Sequence, residues 1–153
     1  MKEKEMRSLI ENYQRNIEQS DKLHNKLIDL QDYNTKLVAT YGHNTGTGKG
    51  TVSSKVERHV LKIRETEEKI LEVEDKIYTV NMAERVLNNK ELEVIKLIKL
   101  YGNELTQIAK MIDKDKKYVF DTRNRAIKKM SEYIKEWRYG KIFKIIRRFH
   151  WKQ

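Results

Sequence analysis

The sequence predicts an all-α protein, and three observations carry that expectation. There is no proline among the 153 residues and there are only six glycines, in a chain that is 37% charged. Glycine and proline are the residues that most disfavour a helix interior. Apolar residues recur at alternating spacings of three and four over two long stretches, the period of one helix face. Four of the six glycines, Gly42, Gly46, Gly48 and Gly50, fall in the single segment GHNTGTGKGTVSS, so the punctuation is gathered at one linker.

The first helix is expected over residues 2–40. Its stripe runs Met6, Ile10, Tyr13, Ile17, then Leu23, Leu27, Leu30 and Leu37 with Asn34 between, and Ser20 and His24 weaken its middle. After the linker, Ser53 or Ser54 can cap a second long helix, with Glu57 as a capping-box partner of Ser54. There Val56, Val60, Ile63, Ile70, Val73, Ile77, Val80 and Leu87 form the stripe, flanked by Lys55, Arg58, Arg64, Glu65, Glu68, Lys69, Glu72, Asp75 and Lys76. A narrow apolar seam with charged sides belongs to a helix that pairs with another helix. Similar lengths and a short connection favour a long antiparallel helical hairpin, a coiled coil, over residues 1–87, with the linker at 42–52. The same seam also fits a homodimer.

A compact unit is expected over residues 88–137. The segment ELEVIKLIKLY, from Glu91, is apolar on more than one side, as suits a short core helix. Asn89 can cap it and Gly102 can end it in a left-handed conformation. In LTQIAKMIDKDKKYVFDTRNRAIKKM, residues 105–130, two further helices follow. Thr106 caps the first, over 107–112, with Ile108, Ala109 and Ile112 inward. Asp113-Lys114-Asp115 makes a tight turn, and Asp115 caps the second. Inward positions of the second are Val119, Thr122, Ala126, Met130, Tyr133, Ile134 and Trp137. This is the spacing of a helix-turn-helix: a small residue where the helices cross, a β-branched residue ten later, and a turn position that tolerates left-handed backbone, here Asp113.

Charge points the same way. Residues 105–153 carry 15 Lys/Arg and 5 Asp/Glu, whereas residues 1–104 carry 18 of each, so the whole net charge of +10 lies in the last third. Such a segment is expected to meet a polyanion. With Val119 and Thr122 inward, the outward face of the second helix presents Lys116, Lys117, Tyr118, Phe120, Asp121, Asn124 and Arg125 to a major groove. Lys116, Lys117 and Arg125 are donors for phosphate or guanine. Asn124 suits adenine, Asp121 cytosine, and Phe120 a thymine methyl. Arg123, Lys128, Lys129 and Lys114 are expected on phosphates, and Thr106 and Gln107 complete the DNA-facing set.

The frame Ile108-Ala109-Lys110 with Ala126-Ile127-Lys128-Lys129-Met130, opened by Leu105 and with Asp115 before the second helix, resembles region 4 of bacterial sigma-70 factors and the sigma-like regulators. The resemblance covers residues 90–134. The wider layout, a charged N-terminal helix, a Gly/Thr/Ser linker, a second long helix opening Val-Ser-Ser and then this motif, resembles the RinA/ArpU group of phage late-transcription regulators. What the resemblance implies is a sequence-specific double-stranded DNA-binding regulator with a sigma-region-4-like helix-turn-helix. It would activate late phage operons with host RNA polymerase in the bacterial cytoplasm. By alignment it places DNA reading on Lys116, Lys117, Tyr118, Phe120 and Asp121. Lys117 stands where sigma factors usually carry an acidic residue. The competing reading is a phage structural or packaging protein, such as a small terminase subunit, that oligomerises through the coiled coil. There the DNA motif usually precedes the long helices; here the order is reversed.

Other chemistry has little to stand on. With no Cys, disulfides and thiolate sites are excluded. GTGKGT at residues 46–51 has His43 and Gly50 where a phosphate loop needs Gly and Ser/Thr, and no strand precedes it. His24, His43, His59 and His150 have no ligand spacing. No enzyme, cofactor or metal site is expected. No apolar run is long enough for a membrane span, and the charged opening MKEKEMRSLIENY has no secretory character. The last segment, residues 138–153, is expected to be a basic amphipathic helix. Its Lys141, Lys144, Arg147 and Arg148 are candidate phosphate contacts. Folding back on the domain, a membrane surface and a polymerase surface fit it too.

Overall fold

The computed structural model describes residues 1–41 and 51–150, with side-chain surroundings for residues 1–37, 54–138 and 140. Among the described residues there is no strand, and the protein is all-α. The helices are α1 (Glu3–Glu11), α2 (Tyr13–Tyr41), α3 (Thr51–Ala83), α4 (Asn89–Tyr101), α5 (Leu105–Met111) and α6 (Lys116–His150), with a 3-10 turn at Glu84–Val86 before α4. No helix among the described residues is long and apolar enough to cross a membrane.

The chain divides into two compact units, and the division corrects the boundaries expected at 87/88 and 137/138. One unit joins Met1–Arg15 to Lys76–Gln153; the other is Asn16–Asp75. The N-terminal segment therefore belongs with the candidate DNA-binding part. The physical reason is the core: Met6, Ile10, Val80 and Ala83 are buried in one cluster with Val94, Ile95, Ile98, Ile108, Val119, Ile127 and Ile134. Met6 and Ile10 are 0% and 1% exposed, so the stripe that opens the chain serves this core. The expected single helix over 2–40 is interrupted at Asn12. Its amide nitrogen Nδ2 donates to the Ser8 carbonyl at 2.9 Å and to Ser8 Oγ at 3.3 Å, local bonds that compete with regular helix. Tyr13 Oη then donates to Asn81 Oδ1 at 2.9 Å, and the Lys99 ammonium sits 4.1 Å over the Tyr13 ring.

The basic segment expected as a separate C-terminal helix is not a separate element. α6 runs through Gly140 to His150 without a break. One glycine costs a helix interior about 1 kcal/mol, which 35 residues of helix absorb.

In the Asn16–Asp75 unit the seam differs from the expected one by its polar members. Along α3 the sheltered positions are Val56, His59, Ile63, Thr66, Ile70 and Val73; along α2 they include Asn16, Ser20, Leu23, Leu27, Leu30, Asn34 and Leu37. Val60, expected inward, stays 42% exposed, and His59 takes the place at 6%. His59 Nε2 donates to the Leu30 carbonyl, and its ring meets Tyr33 edge-on at 4.8 Å between centroids. His24 bonds Glu74 at 2.7 Å. Residue numbers rise along α2 as they fall along α3 in these pairs. Polar groups at seam positions cost stability and fix register, because a slipped register strands them without partners.

Candidate nucleic-acid interface

The candidate surface lies wholly in the first unit and is built on α4. That helix starts one residue earlier than expected. Asn88, not Asn89, is the cap: its Oδ1 accepts from Glu91 N–H at 2.9 Å, and Glu91 Oε1 accepts from Asn88 N–H at 3.3 Å, a complete capping box. The three-residue spacing from Asn88 to Glu91 decides it. Gly102 ends α4 at φ +77°, a conformation that favours glycine, and its N–H donates to the Ile98 carbonyl at 2.8 Å.

α5 starts at Leu105, so Thr106 lies inside the helix and does not cap it; Glu104 precedes α5 without a side-chain cap bond. Ile108 and Ala109 are buried at 0% and 5%. The turn bears out the reading of Asp113, which takes φ +54°, the only non-glycine at positive φ among the described residues. Lys114 N–H reaches back to the Ala109 carbonyl at 3.0 Å. Left-handed backbone costs an L-residue roughly 1–2 kcal/mol, less for Asp and nothing for Gly. Asp113→Gly is expected to stabilise the protein by about 0.5–1 kcal/mol, read as a raised midpoint of urea unfolding.

α6 then carries its buried face through Val119, Thr122, Ala126, Met130 and Ile134, all within 1% of full burial, as expected. Tyr133 and Trp137 are half-buried. The face is wider than expected. Arg123, Ile127 and Ser131 are also buried, at 5%, 1% and 3%, because α6 packs against α1 as well as α4 and α5. A helix gripped from three sides buries an i, i+3, i+4 stripe and not a narrow seam.

That width corrects part of the candidate site. Arg123, expected on a phosphate, is internal: Nη1 donates to Asn103 Oδ1 at 2.6 Å, and Nε and Nη2 both donate to Asn124 Oδ1, at 3.3 and 3.2 Å. Its guanidinium lies 4.9 Å over the Phe120 ring. Burial, with help from Arg7 and against Glu11, pushes its pKa below the usual arginine range. Asn124 is half-buried and bound to Arg123, so its oxygen is engaged. Lys129 stays exposed, as expected, and its ammonium bonds the buried Glu91 carboxylate at 2.7 Å. Glu91 is 3% exposed, and a carboxylate so placed needs its counter-charge.

The remaining candidates lie at the surface. Thr106, Gln107, Lys114, Lys116, Lys117, Phe120, Asp121, Arg125 and Lys128 are exposed, and Tyr118 is half-buried. The Lys114 ammonium lies 5.5 Å over the Tyr118 ring. Thr106 and Gln107 share with Lys116 a depression of about 520 Å³ that Asn103, Glu104, Leu105 and Lys110 complete. Lys110 and Asn103 were missed from sequence. The signal for Lys110 is its spacing, three from Gln107 and four from Thr106, which places the three on one helix face. Asn103 carries no such signal, because its role comes from Arg123, twenty residues on. Lys141, Lys144, Arg147 and Arg148 lie outside the residues whose side chains are described. No cluster of His, Cys, Asp or Glu able to hold a metal occurs among the described residues. Comparison with protein-family models, curated proteins and solved structures found no match.

Proposed function

We propose that the protein binds double-stranded DNA in a sequence-dependent way, with α5, the Asp113 turn and α6 as a helix-turn-helix. One observation carries this reading. The first turns of α6 expose Lys116, Lys117, Phe120, Asp121 and Arg125 beside the exposed Thr106, Gln107 and Lys110 of α5, while Ala109 and Val119 are buried behind them. Donors, one acidic acceptor and an aromatic on the exposed face of one helix are what base edges in a major groove require. The charge distribution supports it: the unit that holds this surface carries 24 Lys/Arg against 12 Asp/Glu, and the Asn16–Asp75 unit carries 9 against 11.

In this reading the protein is a transcriptional regulator of the sigma-region-4-like kind, in the RinA/ArpU manner, working with a host RNA polymerase in the bacterial cytoplasm. The Asn16–Asp75 unit is a helical hairpin, supported by the His24–Glu74 and Leu30–His59 pairings, and offers a protein-binding or self-pairing surface. The continuation of α6 over Lys141, Lys144, Arg147 and Arg148 extends the phosphate footprint. Each neutralised phosphate contributes about −0.9 to the slope of log affinity against log salt. Affinity for a preferred duplex is therefore expected to fall steeply with salt and to survive competition by excess random duplex. Deleting residues 138–153 is expected to flatten the slope by about 3–4. Loss of the complex to equal amounts of random duplex counts against sequence-dependent binding, and an unchanged slope removes the tail from the footprint.

A further inference from the structure

Arg123 and Asn124 form a small built device on the edge of the reading face. Arg123 has five N–H donors in a rigid fork. Three of its nitrogens are accounted for: Nη1 on Asn103 Oδ1, and Nε with Nη2 on Asn124 Oδ1. Asn103 belongs to the α4–α5 connection and Asn124 to α6, so the guanidinium ties the recognition helix to the loop that lines the Thr106–Lys116 depression. Its central carbon also lies 4.9 Å over the Phe120 ring, which is 46% exposed.

The consequence for recognition is chemical. An asparagine reads adenine by two bonds at once, donating from Nδ2 to N7 and accepting at Oδ1 from N6–H. The Asn124 amide oxygen already accepts from two Arg123 nitrogens, Nε at 3.3 Å and Nη2 at 3.2 Å. Asn124 therefore faces a ligand with its donor end alone.

We infer that Arg123 is a positioning residue which turns Asn124 into a donor-only reader, so that the base pair facing it is selected as guanine and not as adenine. The inference rests on the proposal that α6 enters a major groove. Guanine presents two adjacent acceptors, O6 and N7, and no donor on that edge; adenine presents a donor that would find no free acceptor on Asn124. Beside the half-buried Asn124, the exposed hydrogen-bonding groups at the start of α6 are the donors Lys116, Lys117 and Arg125, with Asp121 as the acceptor. The bound site accordingly takes guanines on the strand these donors face, with a cytosine amino group opposite Asp121. The same geometry removes Arg123 from the phosphate footprint.

The test is selection of bound sequences from a random duplex pool by the full-length chain, with a salt titration on the selected duplex. Asn124→Ala is expected to relax preference at one base pair, and wild type is expected to hold guanine there by about tenfold. Arg123→Met frees the Asn124 oxygen and is expected to move that pair toward adenine, with the salt slope unchanged. Arg123→Lys is expected to behave like Arg123→Met, because one ammonium cannot reproduce the fork. Asn124→Asp keeps the acceptor that Arg123 needs and deletes the donor, so it is expected to stay folded and to lose the guanine preference; it decides the question where Arg123→Met does not fold. Adenine at that pair in wild type overturns the inference. So does a salt slope reduced by about one in Arg123→Met and restored in Arg123→Lys, which is the signature of a phosphate contact. A wild-type pool without any motif overturns sequence-dependent binding itself and this inference with it. A motif whose Asn124-dependent pair is not guanine overturns only the inference.

Discussion

Replacing Lys116, Lys117 and Arg125 together by Ala is expected to abolish sequence-dependent retardation of a preferred duplex, with a loss of at least about a hundredfold. Each well-formed contact to a base edge is worth roughly 1–3 kcal/mol, and three are removed. All three side chains are exposed and none is bonded within the core, so the fold is expected to survive, as an unchanged helical circular dichroism spectrum would show. Residual non-specific binding is expected to persist through Lys110, Lys114, Lys128 and the rest of the basic unit. Full specific binding by the triple variant would mean that another surface reads the DNA. By contrast, Lys129→Ala is not a clean probe of the interface. It leaves Glu91, 3% exposed, without its cation, and breaking a buried pair is costly in itself.

The second large effect concerns a residue far in sequence from the reading helix. Ile10→Ala is expected to destabilise the protein by about 2–5 kcal/mol, the usual range for truncating a fully buried Ile. Ile10 is 1% exposed and lies in one cluster with Val94, Ile98 and Ile127, so the loss is expected in the DNA-binding unit. Urea unfolding followed by tryptophan fluorescence reads it, since Trp137 packs against that cluster. Ile28→Ala is the matched control. Ile28 is 61% exposed, and its truncation is expected to stay within about 0.5 kcal/mol. If both variants unfold alike, α1 is not part of the core. The same burial explains why a fragment beginning near residue 88 is a poor test of DNA binding: it lacks Met6, Ile10, Val80 and Ala83.

The site was legible where local chemistry is self-sufficient. Ala109, Asp113 and Val119 announce a crossing, a turn and a packing contact by their types and spacing. The structure finds Ala109 and Val119 buried and Asp113 at positive φ. Lys116, Lys117, Asp121 and Arg125 follow, because once Val119 and Thr122 point inward a 3.6-residue period leaves them outside. Arg123 was misread because a cation on a basic helix looks solvent-facing in sequence, and its partner Asn103 lies 20 residues away. His59 displaced Val60 from the seam on similar grounds: hydrophobicity favours Val60, but the Leu30 carbonyl, available only once the helices pair, satisfies the histidine.

By itself, then, the sequence determined the all-helical character, the concentration of positive charge and the turn between α5 and α6. Each of these is set by composition or by residues within one or two helical turns of each other. The expected linker at 42–52 lies mostly outside the described residues, and α3 already begins at Thr51. The tertiary structure decided which long-range partners those helices took. It placed Met1–Arg15 in the same unit as α4, α5 and α6, widened the buried face of α6 to include Arg123 and Ile127, and so chose which cations remain at the surface. The physical reason is that a helix face is a local property, whereas burial is a property of what covers it. α1 covers one flank of α6, and no periodicity within α6 announces that.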